Sequence, residues 1–146
     1  MKRLAIFFVC FASLAMASCN MLGAGAGNTV AQSLGQTCGS AVLGLYQSYK
    51  STGTIDLTNA NNLTNALALA TAYTQLRQNK DNTSYRNAFT SGLIMSSAGL
   101  ITNQNAGNFV SALLGAQQLG TINSSSTTSQ VNTTTPTLVN LVKSLD

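Results

Sequence analysis

Apolar residues recur at helical spacing through most of the chain. Over residues 28 to 51 they follow steps of three and four, which places on one face of an α-helix Val30, Leu34, Cys38, Val42, Leu45 and Tyr49. Gly53 follows as a left-handed stop. The helix propensity of this stretch is lowered by Gly35, Gly39 and Gly44. Either a second helix approaches closely at these glycines or this helix is marginal, and we expect the close approach.

The second predicted helix is rich in alanine and leucine. It begins after Asp56 or Thr58, which are both competent N-caps, and it ends near Asn79. The alternation of alanine and leucine over residues 66–70 also fits a strand, but alanine favours a helix and the surrounding period agrees. The expected buried face consists of Leu63, Leu67, Ala70 and either Tyr73 or Thr74.

Two shorter helices are predicted next. The third covers residues 84–98 with Thr83 or Asn82 as its cap, and the fourth begins after the turn at 102–105 and stops at Gly120. The third helix is expected to bury Tyr85, Phe89, Gly92 or Leu93, and Ser96. The fourth is expected to bury Phe109, Val110, Leu113 and either Ala116 or Gln117.

The last part of the chain has a different composition. Residues 121–135 are almost entirely serine, threonine and asparagine, which bury too little surface to become ordered, and they predict a mobile linker. A short amphipathic helix over residues 136–146 then docks either on the bundle or on a partner protein. Its apolar side is formed by Leu138, Leu141, Val142 and Leu145. The predicted fold is all-α, with a bundle of about four helices in residues 29–120 plus this C-terminal helix.

The first residues of the chain predict export. Met1-Lys2-Arg3 supplies two cations, residues 4–16 form an apolar run, and the small residues Ala17-Ser18 lead to Cys19. This three-part order is typical of a secretory signal peptide. The apolar run is too short to span a membrane, which takes about 20 residues.

The residues at the end of this run are informative. Met16-Ala17-Ser18-Cys19 resembles the lipobox of bacterial lipoproteins, although the family usually has leucine where this chain has Met16. The resemblance implies a signal peptide over residues 1–18 and a diacylated Cys19 at the new N-terminus. The alternating glycines that follow predict a flexible tether over 19–28. No acidic run follows Cys19, which favours the periplasmic face of the outer membrane.

A second cleavage site overlaps the first. Ala15-Met16-Ala17 fits the A-x-A pattern of ordinary signal peptidase, which would release a soluble protein that begins at Ser18. If Cys19 is acylated, Cys38 is a lone thiol on an apolar stripe and fits a buried small hydrophobe. If Cys19 is not acylated, Cys19 and Cys38 are both free in an oxidising compartment and are able to pair.

The charged residues argue against a nucleic-acid partner. The net charge is no evidence of a nucleic-acid partner, because binding along a nucleic acid needs an extended basic patch, and Asp81 lies among the three cations that are close in sequence. Only 7% of the residues are charged, against about 25% in typical soluble proteins, so the polar surface consists of Asn, Gln, Ser and Thr. After the signal peptide, five cations less three carboxylates leave a net charge of +2: Lys50, Arg77, Lys80, Arg86 and Lys143 against Asp56, Asp81 and Asp146.

The residue inventory disfavours catalysis. The chain has no histidine and no glutamate, so the usual acid–base groups and most transition-metal ligands are missing. Capping or solubility explains each aspartate, and Cys38 has no histidine to activate it. We therefore predict no enzymatic activity, no cofactor and no metal site.

Tyrosines are the candidates for an interaction surface. Tyr46, Tyr49, Tyr73 and Tyr85 would contact a sugar ring or a protein, and partial burial at helix edges explains them equally well. The sequence thus predicts a lipid-anchored, non-catalytic protein of the bacterial envelope that serves as a structural or protein-interaction module. Its expected contacts are the membrane, through Cys19, and an unidentified envelope protein or glycan. The alternative is a soluble secreted adhesive or self-assembling protein.

Overall fold

The computed structural model of the protein describes residues 24–122, 129 and 132–146. Within these residues the regular structure is helical and no strand occurs, so the predicted all-α fold is confirmed. The elements are α1 (Ala24–Thr52), α2 (Ala60–Gln78), α3 (Thr83–Ser96), α4 (Ala106–Gly115), a 3-10 helix (Gln117–Thr121) and α5 (Thr135–Lys143). The predicted signal peptide, Cys19 and most of the predicted linker lie outside the described residues.

The closest helix packing is between α1 and α3. A Cβ atom on Gly35 would collide with the carbonyl oxygen of Phe89, and one on Gly92 would collide with the carbonyl oxygen of Gln32. A Cβ atom on Gly39 would collide with the Ser96 hydroxyl and with the carbonyl oxygen of Leu93. The expected close approach at the α1 glycines is therefore confirmed, and α3 is the helix that makes it at Gly35 and Gly39.

The same contacts show that α3 runs parallel to α1. Gly92 approaches the carbonyl oxygen of Gln32. One turn further along both helices, the Ser96 hydroxyl donates a hydrogen bond of 2.6 Å to the carbonyl oxygen of Gln36. Because residue numbers rise together, the N-termini of α1 and α3 lie at the same end of the bundle.

The helix between them, α2, runs antiparallel to α1. Gly44 faces the side chain of Asn65. Further along α1 but earlier in α2, Asn62 Nδ2 donates a hydrogen bond of 2.9 Å to Ser48 Oγ. The turn from α2 to α3 therefore lies beside the N-terminal part of α1.

The core is one cluster that α1 shares with the other elements. The last helix, α5, packs against this cluster, and its Leu138 and Val142 are fully buried. Thr137 Oγ1 at the start of α5 also donates a hydrogen bond of 2.8 Å to Gln118 Oε1. The C-terminal helix thus docks on its own bundle. The largest fully buried side chains are those of Phe89, Phe109, Leu45, Ile55, Leu69, Leu76, Leu93, Ile101, Leu113, Leu119, Leu138 and Val42.

The start of α1 differs from the prediction. The helix begins at Ala24, inside the segment that was expected to be a flexible tether. Extending a helix from an already packed segment needs only propagation, and the alanines at 24 and 26 offset the cost of the neighbouring glycines. The end of α1 is as predicted, because Gly53 has a φ of +75° and its N–H donates a hydrogen bond to the Tyr49 carbonyl.

The prediction for α2 was wrong in its cap and in two residues of its buried face, Leu63 and Leu67, whereas Ala70 and Tyr73 are buried as predicted. Asn59 is the N-cap, and its side chain accepts hydrogen bonds from the N–H groups of Asn61 and Asn62. Asp56 instead accepts two hydrogen bonds from Thr58 in the preceding turn. Leu63 and Leu67 are only half-buried, because alternating alanine and leucine offer two overlapping faces and the helix buries Asn62, Ala66, Leu69, Ala70, Ala72, Tyr73 and Leu76.

The end of α4 also differs from the prediction, whereas the buried face of α3 agrees with it except at Ser96, which is only half-buried. The helix α4 stops at Gly115, and a 3-10 helix carries the chain past Gly120. This tighter turn buries Leu119 and sets Gly120 against the ring of Tyr73. Asn82 caps α3 by accepting from the Tyr85 N–H at 3.1 Å, and the buried residues of α3 are Tyr85, Phe89, Gly92 and Leu93.

Candidate functional site

Charged and aromatic side chains meet where the end of α1 lies beside the end of the chain. Asp146 follows α5, and its Oδ1 accepts hydrogen bonds from the Tyr46 hydroxyl and from Lys50 Nζ, each at 2.8 Å. We call this group the C-terminal cluster, and it comprises Tyr46, Tyr49, Lys50, Lys143 and Asp146. The docking of α5 on α1 brings its members together, since they come from opposite ends of the described chain.

Both lysines of the C-terminal cluster also lie over aromatic rings. Lys50 Nζ is 5.5 Å from the centroid of the Tyr46 ring, and Lys143 Nζ is 5.8 Å from that of Tyr49. These distances allow cation–π attraction, which contributes about 0.5–1 kcal/mol at exposed sites. Each tyrosine is half-buried, so one part of its ring packs and the rest remains accessible.

The electrostatics of the cluster are those of an exposed ion pair. The hydrogen bond from Lys50, together with that from Tyr46, lowers the pKa of Asp146. The hydrogen bond to Asp146 raises the pKa of Lys50. The Lys50 and Asp146 side chains are 54% and 40% exposed, so water screens the pair and its contribution to stability is small. The charged groups of the cluster are therefore open to solvent.

The other two candidate tyrosines lie in the core. Tyr73 is 3% exposed, and its hydroxyl accepts a hydrogen bond of 2.7 Å from Arg77 Nη1. Tyr85 is 7% exposed, its hydroxyl has no hydrogen-bond partner among the described residues, and burial raises its pKa. The four predicted tyrosines therefore do not form one surface. Tyr46 and Tyr49 are brought together, and their role in binding stays a prediction.

A shallow pocket borders Tyr73 on the outside of the bundle. Its volume is about 350 Å³, and it is lined by Tyr73, Thr74, Arg77, Gln78 and Gly120. Sequence reasoning missed this pocket because the 3-10 helix that closes one side is remote from α2 along the chain. Its one charged side chain, Arg77, already bonds to Tyr73 and stacks over its ring at 5.9 Å.

The other candidate groups are the Cys38 thiol and the side chains able to bind a metal ion. Cys38 is fully buried, as its place on the apolar stripe predicted, and burial raises the pKa of its thiol, which keeps it protonated and unreactive. Over the parts of the chain that the structure describes, no three Cys or Asp side chains come together to hold a metal ion. Cys19, the predicted lipidation site, lies outside the described residues.

Comparisons with protein-family models, with curated proteins and with solved structures find no match. Among the described helices, none has both the length and the apolar character to cross a membrane. The chain's own residues are therefore the basis for its proposed function.

Proposed function

We propose that this protein is a lipid-anchored, non-catalytic component of a bacterial cell envelope, held by acyl chains on Cys19 and acting as a structural or protein-interaction module. Its place in this proposal is the periplasmic face of the outer membrane. The observation that carries the proposal is the order of two cations, an apolar run and Met16-Ala17-Ser18-Cys19.

The position of the folded core supports an anchor at Cys19. The buried apolar residues run from Ala31 to Val142, so the core draws on residues well after the proposed cleavage site. Only residues 20–23 separate Cys19 from the start of α1. Removal of residues 1–18 and acylation of Cys19 would therefore leave this core with all of its members.

The burial of Cys38 argues against the Cys19–Cys38 disulfide that the soluble alternative allows. The Cys38 side chain has no exposed surface, so pairing with a cysteine outside the core would require α1 to separate from its neighbours. The soluble, self-assembling alternative also predicts strands, whereas the described residues form helices.

The proposed contact surface is the C-terminal cluster. Its two tyrosines are partly accessible and its carboxylate is exposed, and aromatic side chains with polar ends are enriched at protein interfaces. With two lysines and one aspartate, it presents both signs of charge to a partner.

Intact-mass measurement of the protein from its native membrane tests the anchor. We expect a chain that begins at Cys19 and carries a diacylglyceryl adduct. Cys19→Ser should abolish the adduct and move the protein out of the detergent-extracted membrane fraction. Cys38→Ala is the matched control, because it removes the other cysteine of the mature chain and should leave the adduct in place. An unmodified chain that begins at Ser18 would exclude the anchor and favour the soluble alternative.

A further inference from the structure

The fold separates the charged residues of the mature chain into two groups, one at each end of α1. Lys50, Asp56, Lys143 and Asp146 lie near the C-terminal end of α1, where two cations and two carboxylates cancel. The remaining four are Arg77, Lys80, Asp81 and Arg86, whose three cations and one carboxylate sum to +2. The second group therefore holds the entire net charge of the mature chain.

Helix register locates this second group. Because α2 is antiparallel to α1 and Gly44 faces Asn65, Arg77 lies at about the level of Gln32. Lys80 follows in the turn after α2, which is closer still to the start of α1.

The register of the parallel helix α3 places Arg86 at the same end of α1. Gly92 lies beside Gln32, so Arg86, in the first turns of α3, is at about the level of residue 26. All four charged side chains are exposed. We call this part of the bundle the proximal end, defined by Arg77, Lys80, Asp81 and Arg86.

Two exposed apolar side chains lie in the same half of the bundle. Val30 is 40% exposed on α1, and Met95 is 64% exposed on α3. Met95 lies beside Gln32, and the distance from Gln32 Nε2 to the Met95 sulfur atom is 3.6 Å. Single exposed apolar residues are common on protein surfaces, but here both lie in the same half of the bundle as the cations.

The length of chain before α1 sets how far this end can lie from a lipid on Cys19. Residues 20–23 join Cys19 to Ala24, and fully extended they reach at most about 18 Å. The 29 residues of α1 place its other end about 42 Å further away. In an anchored domain, the net positive charge and the two large exposed apolar side chains therefore lie on the half of the bundle nearest Cys19.

We propose that the proximal end binds anionic phospholipid head groups of the leaflet that holds the acyl chains, an inference that rests on the proposed lipid anchor. Lys80 and Arg86 supply most of the attraction, Arg77 adds to it, and Asp81 opposes it. The contact orients the bundle so that the C-terminal cluster points away from the membrane, where a partner can reach it.

Vesicle co-sedimentation tests this contact without the acyl chains. The probe is the mature chain, residues 19–146, carrying Cys19→Ser, mixed with vesicles of phosphatidylcholine alone or with about 30% phosphatidylglycerol. We expect binding to be about 25-fold stronger on the anionic vesicles at low salt, since each of the two net positive charges contributes about fivefold near a charged surface. The preference should disappear at about 0.5 M salt, where the screening length falls to a few ångströms.

Two variants of equal net charge locate the contact. Lys80→Gln with Arg86→Gln should lower binding to the anionic vesicles about tenfold or more. Lys50→Gln with Lys143→Gln is the matched control at the other end of α1, and its binding should stay within about twofold of the parent. Circular dichroism verifies that both fold. In a third variant, Asp81→Asn should strengthen binding about fivefold and needs no loss of a cation.

Two outcomes would overturn the proposal. One is equal binding to neutral and anionic vesicles. The other is an equal loss in both double variants, which would mean that binding follows total charge and not the proximal end. Because the assay uses a chain without acyl groups, either result leaves the proposed anchor standing. An unmodified Cys19 in the native protein would remove the anchor, and with it the assignment of the contact to the anchoring leaflet, without changing the vesicle binding.

Discussion

At the scale of single residues, two buried tyrosines differ in what surrounds their hydroxyl groups. Tyr73 receives a hydrogen bond from Arg77. Tyr85 is buried to a similar degree, but its hydroxyl has no hydrogen-bond partner in the described part of the chain. A buried polar atom without a partner costs about 1–3 kcal/mol of desolvation, so the two hydroxyl groups should affect stability in opposite directions.

Removing each hydroxyl tests this difference. Tyr85→Phe should leave the free energy of unfolding unchanged or raise it by about 1 kcal/mol. Tyr73→Phe, the matched variant, should lower it by about 1 kcal/mol because the hydrogen bond from Arg77 is lost. Urea unfolding followed by circular dichroism measures both. A loss for Tyr85→Phe as large as that for Tyr73→Phe would mean that the Tyr85 hydroxyl has a partner after all.

At the scale of elements, the α1–α3 contact depends on the absence of side chains. Gly35 and Gly92 bring the two backbones so close that a methyl group at either position would overlap a carbonyl oxygen of the other helix. Backbone atoms cannot rotate away as a flexible side chain does. Neither glycine is therefore replaceable without moving a helix.

The two kinds of helical glycine should respond oppositely to alanine. Gly92→Ala should lower the free energy of unfolding by about 1–3 kcal/mol, the usual cost of overpacking. Gly107→Ala in α4 is the control, because a Cβ there would meet nothing within 4 Å. It should raise stability by about 0.5–1 kcal/mol through helix propensity. Thermal melts compare the two, and equal effects would contradict the close packing.

The docking of α5 should weaken in acid. Its partners lower the pKa of Asp146, so the contribution of this carboxylate is present above the pKa of the unfolded chain and is lost as the pH falls through the lower, folded value. We expect hydrogen-exchange protection of the α5 amides, corrected for intrinsic rates, to decrease below about pH 4. The decrease should be small, because the pair is exposed and buried leucine and valine side chains hold most of α5.

Asp146→Asn should remove this acid-dependent step, the decrease in hydrogen-exchange protection of the α5 amides. Asp56→Asn is the control, because hydrogen bonds from Thr58 also lower the pKa of Asp56, yet Asp56 lies in the turn before α2. That variant should keep the step in α5. An unchanged step in Asp146→Asn would mean that another group causes it. The raised pKa of Lys50 acts at the alkaline limit. Its contribution to the stability of the fold is present below the pKa of Lys50 in the unfolded chain, and it is lost as the pH rises through the higher pKa of the folded chain.

The sequence predicts individual helices well where the apolar period is unambiguous. In α3 the aromatic residues Tyr85 and Phe89 mark one face, and that face is buried. In α2 the alternating alanine and leucine left two overlapping faces, and the choice of Leu63 and Leu67 was wrong. The spacing of apolar residues indicates which helix faces could be buried, but which of them packs depends on how closely the neighbouring helix approaches.

At the scale of the whole molecule, the contacts between distant residues were beyond sequence reasoning. The glycines of α1 indicated a close neighbour but did not say which helix. Tyr46 and Asp146 are separated by 100 positions, and no local pattern connects them. Their contact depends on the docking of α5, for which the sequence offered both the bundle and a partner. The division of charge between the two ends also emerges only from the directions of α2 and α3.

The parallel alignment of α1 and α3 has a consequence for the order of folding. The hydrogen bond between Asn62 and Ser48 closes a loop of 14 positions, whereas that between Ser96 and Gln36 closes one of 60. Longer loops cost more entropy to close, so we expect the α1–α2 hairpin to form first and α3 to join it late. A methyl group at Gly92 would then act mainly by speeding unfolding and would leave the folding rate nearly unchanged.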